Sequence, residues 1–536
     1  MFLLVTVLSG AAIIFSIMMI LNRMPKRSSG NINPPGPRGL PFIGNLHQFD
    51  KSKPHIYLWN LSKKYGPLAY LKHGSTPIFV VNSPKMAKEI LKTHDLSFCT
   101  RPPVVGQQKL AYGGLDLAFS PHNHHWKEMR KISVLHLLSS KQVQTFRPIR
   151  EDEVSLMIHK IRNLAYSSQL VNLSEIAMSL ASNFICRIAF GRRYDDGEYE
   201  KIRFDRMIME AQALMVSFYW FDHFPHVLGS WLDKMSGLQT RLDKNCKELD
   251  VFYQQLINEH LDPSRPKPDR EDIIDLMIQL KDQSSTSSDI SWDHIKAMLM
   301  DLFVAATDTV AATIVWAMTA MMLRPSIMKR VQEEIRQIIG GKDSVHEDDL
   351  RKLPYLKAVV LETLRLYPPA PLLYRKQIVQ EPCLVEGYKI KPGTSIFING
   401  WAIGRDPEAW QNPDEFRPER FLNAVCGTEP PNAASMHYLD HSTDHMMKSS
   451  MPVEFSMIPF GGGRRGCPGM GMGLISTELA IANLLYAFDW ALPSPSAFSS
   501  NAKLVPAEDV LDTTALPGLT MHKKIPLVLL PTSYEQ

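Results

Sequence analysis

Near its C-terminus the chain reads Phe460-Gly461-Gly462-Gly463-Arg464-Arg465-Gly466-Cys467-Pro468-Gly469. Glycines let a backbone turn tightly and approach a flat ligand closely, where side chains would stand in the way. Cys467 closes this loop just ahead of a helical stretch, where backbone N–H groups and the helix dipole favour thiolate over thiol. Arg465 adds positive charge two residues away. On its own such a loop is most often a turn around a buried thiol, so its meaning depends on company. One companion is Ala305-Ala306-Thr307-Asp308-Thr309-Val310, where an acid beside an alcohol can accept and deliver protons in apolar surroundings. Glu362 and Arg365, at i and i+3, share a helix face and can pair. Trp126 and Arg130, one helical turn apart, can each donate hydrogen bonds to a carboxylate.

These groups are far apart in sequence, so helices must carry them together. The longest begins near Ser291, a good N-cap, and runs to Arg324, where Pro325 stops it. From Ala297 to Met322 it is apolar almost all round except Asp301, Thr307, Asp308, Thr309, Thr313 and Thr319, which places it at the centre of a large domain. A second helix, Pro354 to Leu366, carries Glu362 and Arg365; a third is expected from Met470 to about Trp490. Leu68–Leu71 and Ile78–Val81 around Gly74-Ser75 read as a β-hairpin, and Tyr388–Ile390 with Ser395–Ile398 around Pro392-Gly393 as another. Pro263 to Ser288, which is polar, and Leu422 to Glu454, which is long, mixed and rich in His and Met, read as loops. His437, His441 and His445 in the latter lack regular ligand spacing and are set aside as a metal site. The class is mainly α with small β-sheets.

Residues 2–21 carry no charge, long enough at 1.5 Å per residue to cross a hydrocarbon core of about 30 Å. Arg23, Lys26 and Arg27 follow and nothing basic precedes, which favours a retained anchor over a cleaved signal and leaves the rest in the cytosol. The expected organisation is a transmembrane anchor at 1–22, a basic, Pro-rich hinge at 23–50 with Pro34, Pro35, Pro37 and Pro41, and one catalytic domain at 51–536. The six cysteines are scattered without a C-x-x-C pair, poor for disulfides or zinc and suited to a reducing compartment. With 45% hydrophobic and 21% charged residues extended disorder is excluded. A net charge of +4 over 536 residues gives no field for nucleic acid.

Taken together, the motifs resemble the cytochrome P450 family over nearly the whole chain. The Cys loop matches F-x-x-G-x-R-x-C-x-G, its haem-ligand signature. Glu362-Thr363-Leu364-Arg365 matches E-x-x-R, and Pro418-Glu419-Arg420-Phe421 supplies the Arg420 that would complete a buried Glu-Arg-Arg cluster. Trp126-Lys127-Glu128-Met129-Arg130 matches W-x-x-x-R, and Ala305–Val310 resembles the oxygen-groove motif. The resemblance implies the P450 fold, haem b ligated by Cys467 in a loop that includes Phe460, and propionates held by Trp126, Arg130 and Arg465. It implies Asp308 and Thr309 as proton relay to dioxygen, and electrons from NADPH through a separate cytochrome P450 reductase. No strand–loop–helix nucleotide-binding unit is present to take NADPH directly, the G-x-G-x-x-G spacing of Gly461, Gly463 and Gly466 being part of the Cys loop, and Lys127, Arg130 and Lys131 are placed to steer that partner.

Ala306 stands where the family usually has Gly, and Val310 where it has Thr or Ser. The segment ending Tyr374-Arg375 has Tyr before Arg, where many plant members have His or Pro, and is one residue short. The loop 422–454 is longer than usual. Pro34-Pro35-Gly36-Pro37, Gly44-Asn45-Leu46-His47 and Ser97–Pro102 resemble the plant microsomal A-type group, which implies a single-pass protein of the endoplasmic reticulum. Thr145–Arg150 and Met521-His522-Lys523-Lys524 are similar to its aldoxime-metabolising members. By analogy the pocket is lined from Val104 to Phe119, by Phe303, Val304, Ala370–Leu373 and Thr514–Leu516. The aromatic run Phe218–Phe221 with Phe224 suits a membrane-facing access region. The expected activity is insertion of one oxygen atom from O2 into a small lipophilic plant metabolite: a terpenoid, alkaloid, phenolic or aldoxime. The alternatives are a haem-thiolate isomerase or dehydratase independent of O2, and a non-catalytic haem or lipid carrier; retention of both Asp308 and Thr309 weighs against each.

Overall fold

A computed structural model describes residues 33–193, 199–266, 268–283, 290–425, 452–493 and 507–534. The anchor 1–22, the first part of the hinge and His437, His441 and His445 lie outside the described residues. Seven helices recur below: α1 (His124–Ile132), α2 (Leu173–Phe190), α3 (His226–Met235), α4 (Ile273–Gln283), α5 (Trp292–Met322), α6 (Pro354–Leu366) and α7 (Met470–Ala487).

The expected central helix is α5. Ser291 is its N-cap, with its N–H donating to His294 Nδ1 at 3.0 Å, and Pro325 opens the following helix. Its two halves belong to different cores. Ile295 to Val304 pack with residues of α1, of the end of α2 and of α4, whereas Val310 to Met321 pack with the start of α2, α6 and α7. The polar turn from Ala305 to Thr309 falls between them. By length and composition α2, α5 and α7 could each cross a membrane, but 72 to 78% of each apolar window is buried inside the fold. Their hydropathy therefore serves the core.

The strands are β1 (Leu68–His73), β2 (Thr76–Val81), β3 (Val171–Asn172), β4 (Leu372–Lys376), β5 (Cys383–Val385), β6 (Tyr388–Ile390), β7 (Ser395–Asn399), β8 (Phe488–Ala491) and β9 (Val528–Ser533). They form a four-stranded sheet β1-β2-β7-β4, a three-stranded sheet β3-β9-β8 and the pair β5-β6. The first expected hairpin is present: Leu68 faces Val81 and His73 faces Thr76, with Gly74 at φ 57° in the two-residue turn.

The second expected hairpin is not. Tyr388–Ile390 pairs with Cys383–Val385, while Ser395–Asn399 lies parallel to β2 and antiparallel to β4. A local turn signal cannot say that the buried, two-sided strand β7 finds better partners far away in the chain. The last long helix ends at Ala487 rather than near Trp490, because Phe488 and Trp490 alternate with exposed neighbours and join β9 as a strand. Inside the stretch expected as loop from Pro263 to Ser288, Ile273–Gln283 is helical, with Ile273, Ile274 and Met277 on a buried face. The described part of the hinge runs irregularly to Gly39, turns tightly at Leu40–Gly44 and forms a short 3-10 turn at Leu46–Gln48, and it is docked rather than free. The Tyr70 N–H donates to the Pro35 carbonyl at 3.0 Å and the Asn45 N–H to the Lys72 carbonyl at 2.6 Å.

Candidate active site

The turn carrying Cys467 needs glycine for two reasons. Gly461 and Gly463 have φ of 74° and 64°, and a Cβ on Gly463 would stand 2.3 Å from Asp95 Oδ1 and 2.5 Å from the Leu91 carbonyl oxygen. The loop closes through the Cys467 N–H, which donates to the Phe460 carbonyl at 2.9 Å, and α7 begins three residues later. The Cys467 side chain is deep in the protein yet accessible, because it opens onto an internal cavity of about 430 Å³. Burial pushes the thiol up; the Gly469 N–H and the Arg130 charge oppose this without reversing it. The helix end and Arg130 favour the thiolate and burial opposes it, a balance that a bound metal tips by displacing the proton.

The cavity wall is mostly apolar, with Phe460, Met472, Val304, Ala305 and Ala306 on it, and Thr309 among its few hydroxyls. One part of the rim is cationic. Arg101, Arg130, Arg375 and Arg465 all border it. Arg465 donates to the carbonyls of Cys99 at 2.7 Å, Ser120 at 2.7 Å and Leu117 at 3.2 Å, and its guanidinium lies 4.1 Å from the centre of the Trp126 ring. Arg101 donates to the Ala118 and Tyr374 carbonyls. Arg375 is 1% exposed, has one weak bond at 3.3 Å to the Tyr374 carbonyl, and its Nη2 meets no acceptor. Burial pushes Arg101 down to about 10 and Arg465 to about 9, and Arg375 further, with the Arg101 and Arg465 charges adding to the effect there.

None of these four guanidiniums forms an ion pair among the described residues. Asp116 and Asp301 favour the charge of Arg101, and Asp116 that of Arg465, without forming an ion pair with either. Asp301 and Asp116 accept the Leu117 and Phe119 N–H groups at 2.6 Å each, and burial raises both, Asp116 to about 6. A cluster of buried, unpaired cations beside an apolar cavity is a binding site for an anion attached to an apolar body.

Trp126 borders the cavity as expected, but its Nε1–H is engaged, donating to the Leu117 carbonyl at 3.0 Å. Phe460, Arg130, Arg465, Cys467 and Thr309 all converge there. Asp308 does not. It is buried beside the wall, with Oδ2 3.2 Å from His522 Nε2, while the Thr309 hydroxyl donates to the Ala305 carbonyl at 2.7 Å. Of the expected pocket lining, Gln107, Leu117 to Phe119, Val304, Ala370, Leu372 and Leu373 are in place. Phe303 is not; it is fully buried on the other side of α5 against Phe190 and Phe204, with ring centres 5.3 and 4.8 Å away. Leu519 and Thr520 line the cavity where Thr514–Leu516 were expected.

The Glu-Arg-Arg cluster closes as the spacing requires. Arg365 grips Glu362 through two bonds of 2.7 Å and donates also to the carbonyls of Gly404, Pro413 and Glu415. Arg420 Nε and the Arg417 N–H reach Glu362 Oε1 at 3.1 and 2.7 Å. Glu362 and Arg365 have no exposed side-chain surface, so both carboxylate oxygens must find donors inside, and both do. Elsewhere, His260, Asp272 and Asp275 converge as metal ligands would. Arg265 already bonds both carboxylates, and the His260 ring nitrogens face the Leu256 carbonyl at 2.7 Å and Asp272 at 2.9 Å. Both nitrogens must donate, which leaves no lone pair for a cation.

The site therefore calls for an apolar ligand with acidic arms for the guanidiniums and a metal centre for one thiolate. Haem b has these properties, and Arg101 and Arg375 extend the set expected to hold its propionates. No sequence signal marks either as a buried cation. The family description "Cytochrome P450" matches residues 34–506. The chain belongs to the cytochrome P450 family.

It is similar to two proteins of Pastinaca sativa, "6,7,8-trihydroxycoumarin synthase" and "5-OH-xanthotoxin synthase". Each is 46% identical over 515 residues, covering 95% of either chain. Among solved structures it is similar to a zebrafish cytochrome P450 determined with abiraterone, with a TM-score of 0.69 and 24% identity over 90% of this chain and all of the other; that likeness concerns the fold. This P450 falls with the plant A-type members. It is a haem-thiolate monooxygenase that uses haem b and electrons from NADPH delivered through a redox partner.

Proposed function

We propose that this P450 hydroxylates a flat, oxygenated aromatic lactone of the coumarin type. The observation that carries the site assignment is the convergence of the Cys467 thiol, four unpaired guanidiniums and the small-residue turn of α5 on one apolar cavity. The substrate class is supported by the two Pastinaca relatives and by a wall that is predominantly apolar with few polar groups.

Bound haem supplies redox chemistry at a thiolate-ligated iron. Cys467 is its ligand, and Phe460 packs in the loop that holds the thiol. Arg130, Arg375, Arg465 and Arg101 fix the acidic arms, with Trp126 stacked under Arg465. The apolar wall excludes water from the reacting carbon. Asp308 brings protons from outside, and the Thr309 hydroxyl passes them on after turning from the Ala305 carbonyl. Ala306 narrows the groove beside them by one methyl without removing either group.

The catalytic domain 51–536 is placed in the cytosol behind an anchor at 1–22 in the endoplasmic reticulum membrane, served by NADPH–cytochrome P450 reductase. Support comes from an apolar patch on α3, where Val227 is 87% and Trp231 58% exposed, and from Phe42 in the docked hinge. These lie on one side: Gly74 N–H bonds the Ile43 carbonyl, and Ser75 N–H bonds the His223 carbonyl just ahead of α3. Of the aromatic run before α3, Tyr219 is core and Phe221 is exposed.

The test uses microsomes carrying the full chain, the reductase and a Cys467→Ala control. A red-shifted thiolate-type Soret band in the reduced carbon-monoxide difference spectrum, absent from the control, is expected. Incubation with coumarins, a monoterpene, an indole alkaloid and an aldoxime should then give NADPH-dependent hydroxylation of the coumarins first. Turnover of another class alone refutes the substrate assignment, and a normal band in Cys467→Ala refutes the ligand.

A further inference from the structure

The assignment of Asp308 as a proton carrier leaves open where its proton comes from. The carboxylate is buried and does not border the cavity; the one ionisable side chain it pairs with among the described residues is His522, at 3.2 Å. His522 keeps 29% of its side chain exposed against 11% for Asp308, so it bridges solvent and the helix interior. Its position is set by bonds on both sides. The Trp316 indole donates to the Met521 carbonyl at 2.7 Å, the Met521 N–H donates to the Pro369 carbonyl at 2.8 Å, and the Leu516 N–H donates to the His522 carbonyl at 2.8 Å. The C-terminal segment is thus tied to α5 two turns beyond Asp308, which holds the imidazole over the acid.

We infer that His522 is a positioning residue of proton delivery: it takes a proton from solvent and hands it from Nε2 to Asp308 Oδ2. This rests on the reading of Asp308 as a proton carrier and names the group that feeds it. In the step the Nε2–H bond breaks and an Oδ2–H bond forms, so imidazolium and carboxylate become imidazole and carboxylic acid. Water then reprotonates the exposed ring. Asp308, now neutral, loses its attraction to the imidazole and is free to rotate its carboxyl toward Thr309. Other charges nearby are engaged elsewhere. Lys523 Nζ is on the Ile525 carbonyl, Asp512 on Thr514, and Arg405 on the Trp401 ring; Lys524, on the same segment, is the remaining one.

The experiment compares full-length, haem-replete wild type with His522→Gln, His522→Lys and Asp308→Asn in reconstituted membranes. It measures product formed per NADPH from pH 5.5 to 8.5, together with KM and the thermal midpoint of each protein. The Gln variant cannot carry a proton, whereas the Lys variant keeps the ion pair but holds its proton too tightly. Both should lose coupling on the order of tenfold, below the ~10²-fold or more of a group acting directly, and the coupling of both should vary less with pH than that of the wild type. KM should not change, and the Lys variant should retain the wild-type thermal midpoint. Recovery of coupling in His522→Lys would make His522 a clamp and overturn the inference, as would wild-type coupling and pH profile in His522→Gln. If Asp308→Asn is itself fully coupled, the carrier role of Asp308 fails first, and that outcome is distinct from the other two.

Discussion

Arg375 offers a prediction whose sign depends on what fills the cavity. Its guanidinium is 1% exposed, Nη2 has no acceptor, and Arg101 and Arg465 add like charge. Without haem this buried cation has no ion-pair partner among the described residues, so Arg375→Met, similar in length and apolar, should stabilise the haem-free chain by about 1–4 kcal/mol, the range found when buried ionic groups are replaced by packed apolar ones. With haem bound the sign reverses. A carboxylate about 4 Å from the guanidinium at an effective dielectric near 20 contributes about 4 kcal/mol, and its loss corresponds to roughly 10³-fold in the haem dissociation constant. The assay is transfer of haem to an excess of a haem-scavenging acceptor, followed in the Soret region, beside thermal unfolding of the haem-free chain in detergent. Faster haem loss with a higher haem-free midpoint is expected. A lowered haem-free midpoint with unchanged haem loss would refute the reasoning, since Arg375 would then be part of the scaffold.

Arg365→Ala breaks the buried pair with Glu362 and strips donors from three carbonyls. The pair alone is worth about 3–5 kcal/mol when one partner is removed, a large part of a total stability of about 5–15 kcal/mol, so no folded haem protein should accumulate; a normal yield in the carbon-monoxide assay contradicts this. At His260, burial disfavours the imidazolium, but the Asp272 hydrogen bond and charge and the Leu256 carbonyl outweigh it and raise its pKa. The folded value is above the unfolded one, so the stabilisation is full below about pH 6.5 and is lost as pH rises through the folded value. His260→Gln should therefore cost about 1.5–3 kcal/mol at pH 6, as for hydrogen bonds to charged groups, and progressively less toward pH 9, measured by urea unfolding; an equal cost at both ends sinks the assignment.

What the sequence determined was whatever depends on neighbours along the chain. The Cys loop, with its two positive-φ glycines, the Glu362–Arg365 spacing and the capped helix from Ser291 all follow from local geometry, and each appears at its expected place. Family resemblance added Arg420 across the chain. Long-range pairing and burial were not legible. The strand Ser395–Asn399 left its expected partner for β2 and β4, because a strand buried on both faces is placed by the sheet rather than by its turn. Phe303 and Val304 are adjacent in sequence and share one core, yet only Val304 meets the cavity, since one helical step of 100° turns the side chain away from it. Desolvation decided the rest. It raises the Cys467 thiol against the helix end and lowers the buried Arg375, while folding brings Asp308 to His522, more than two hundred residues away. Charge and residue type can be read from one dimension, but the loss of water around a charge exists only once the chain has folded.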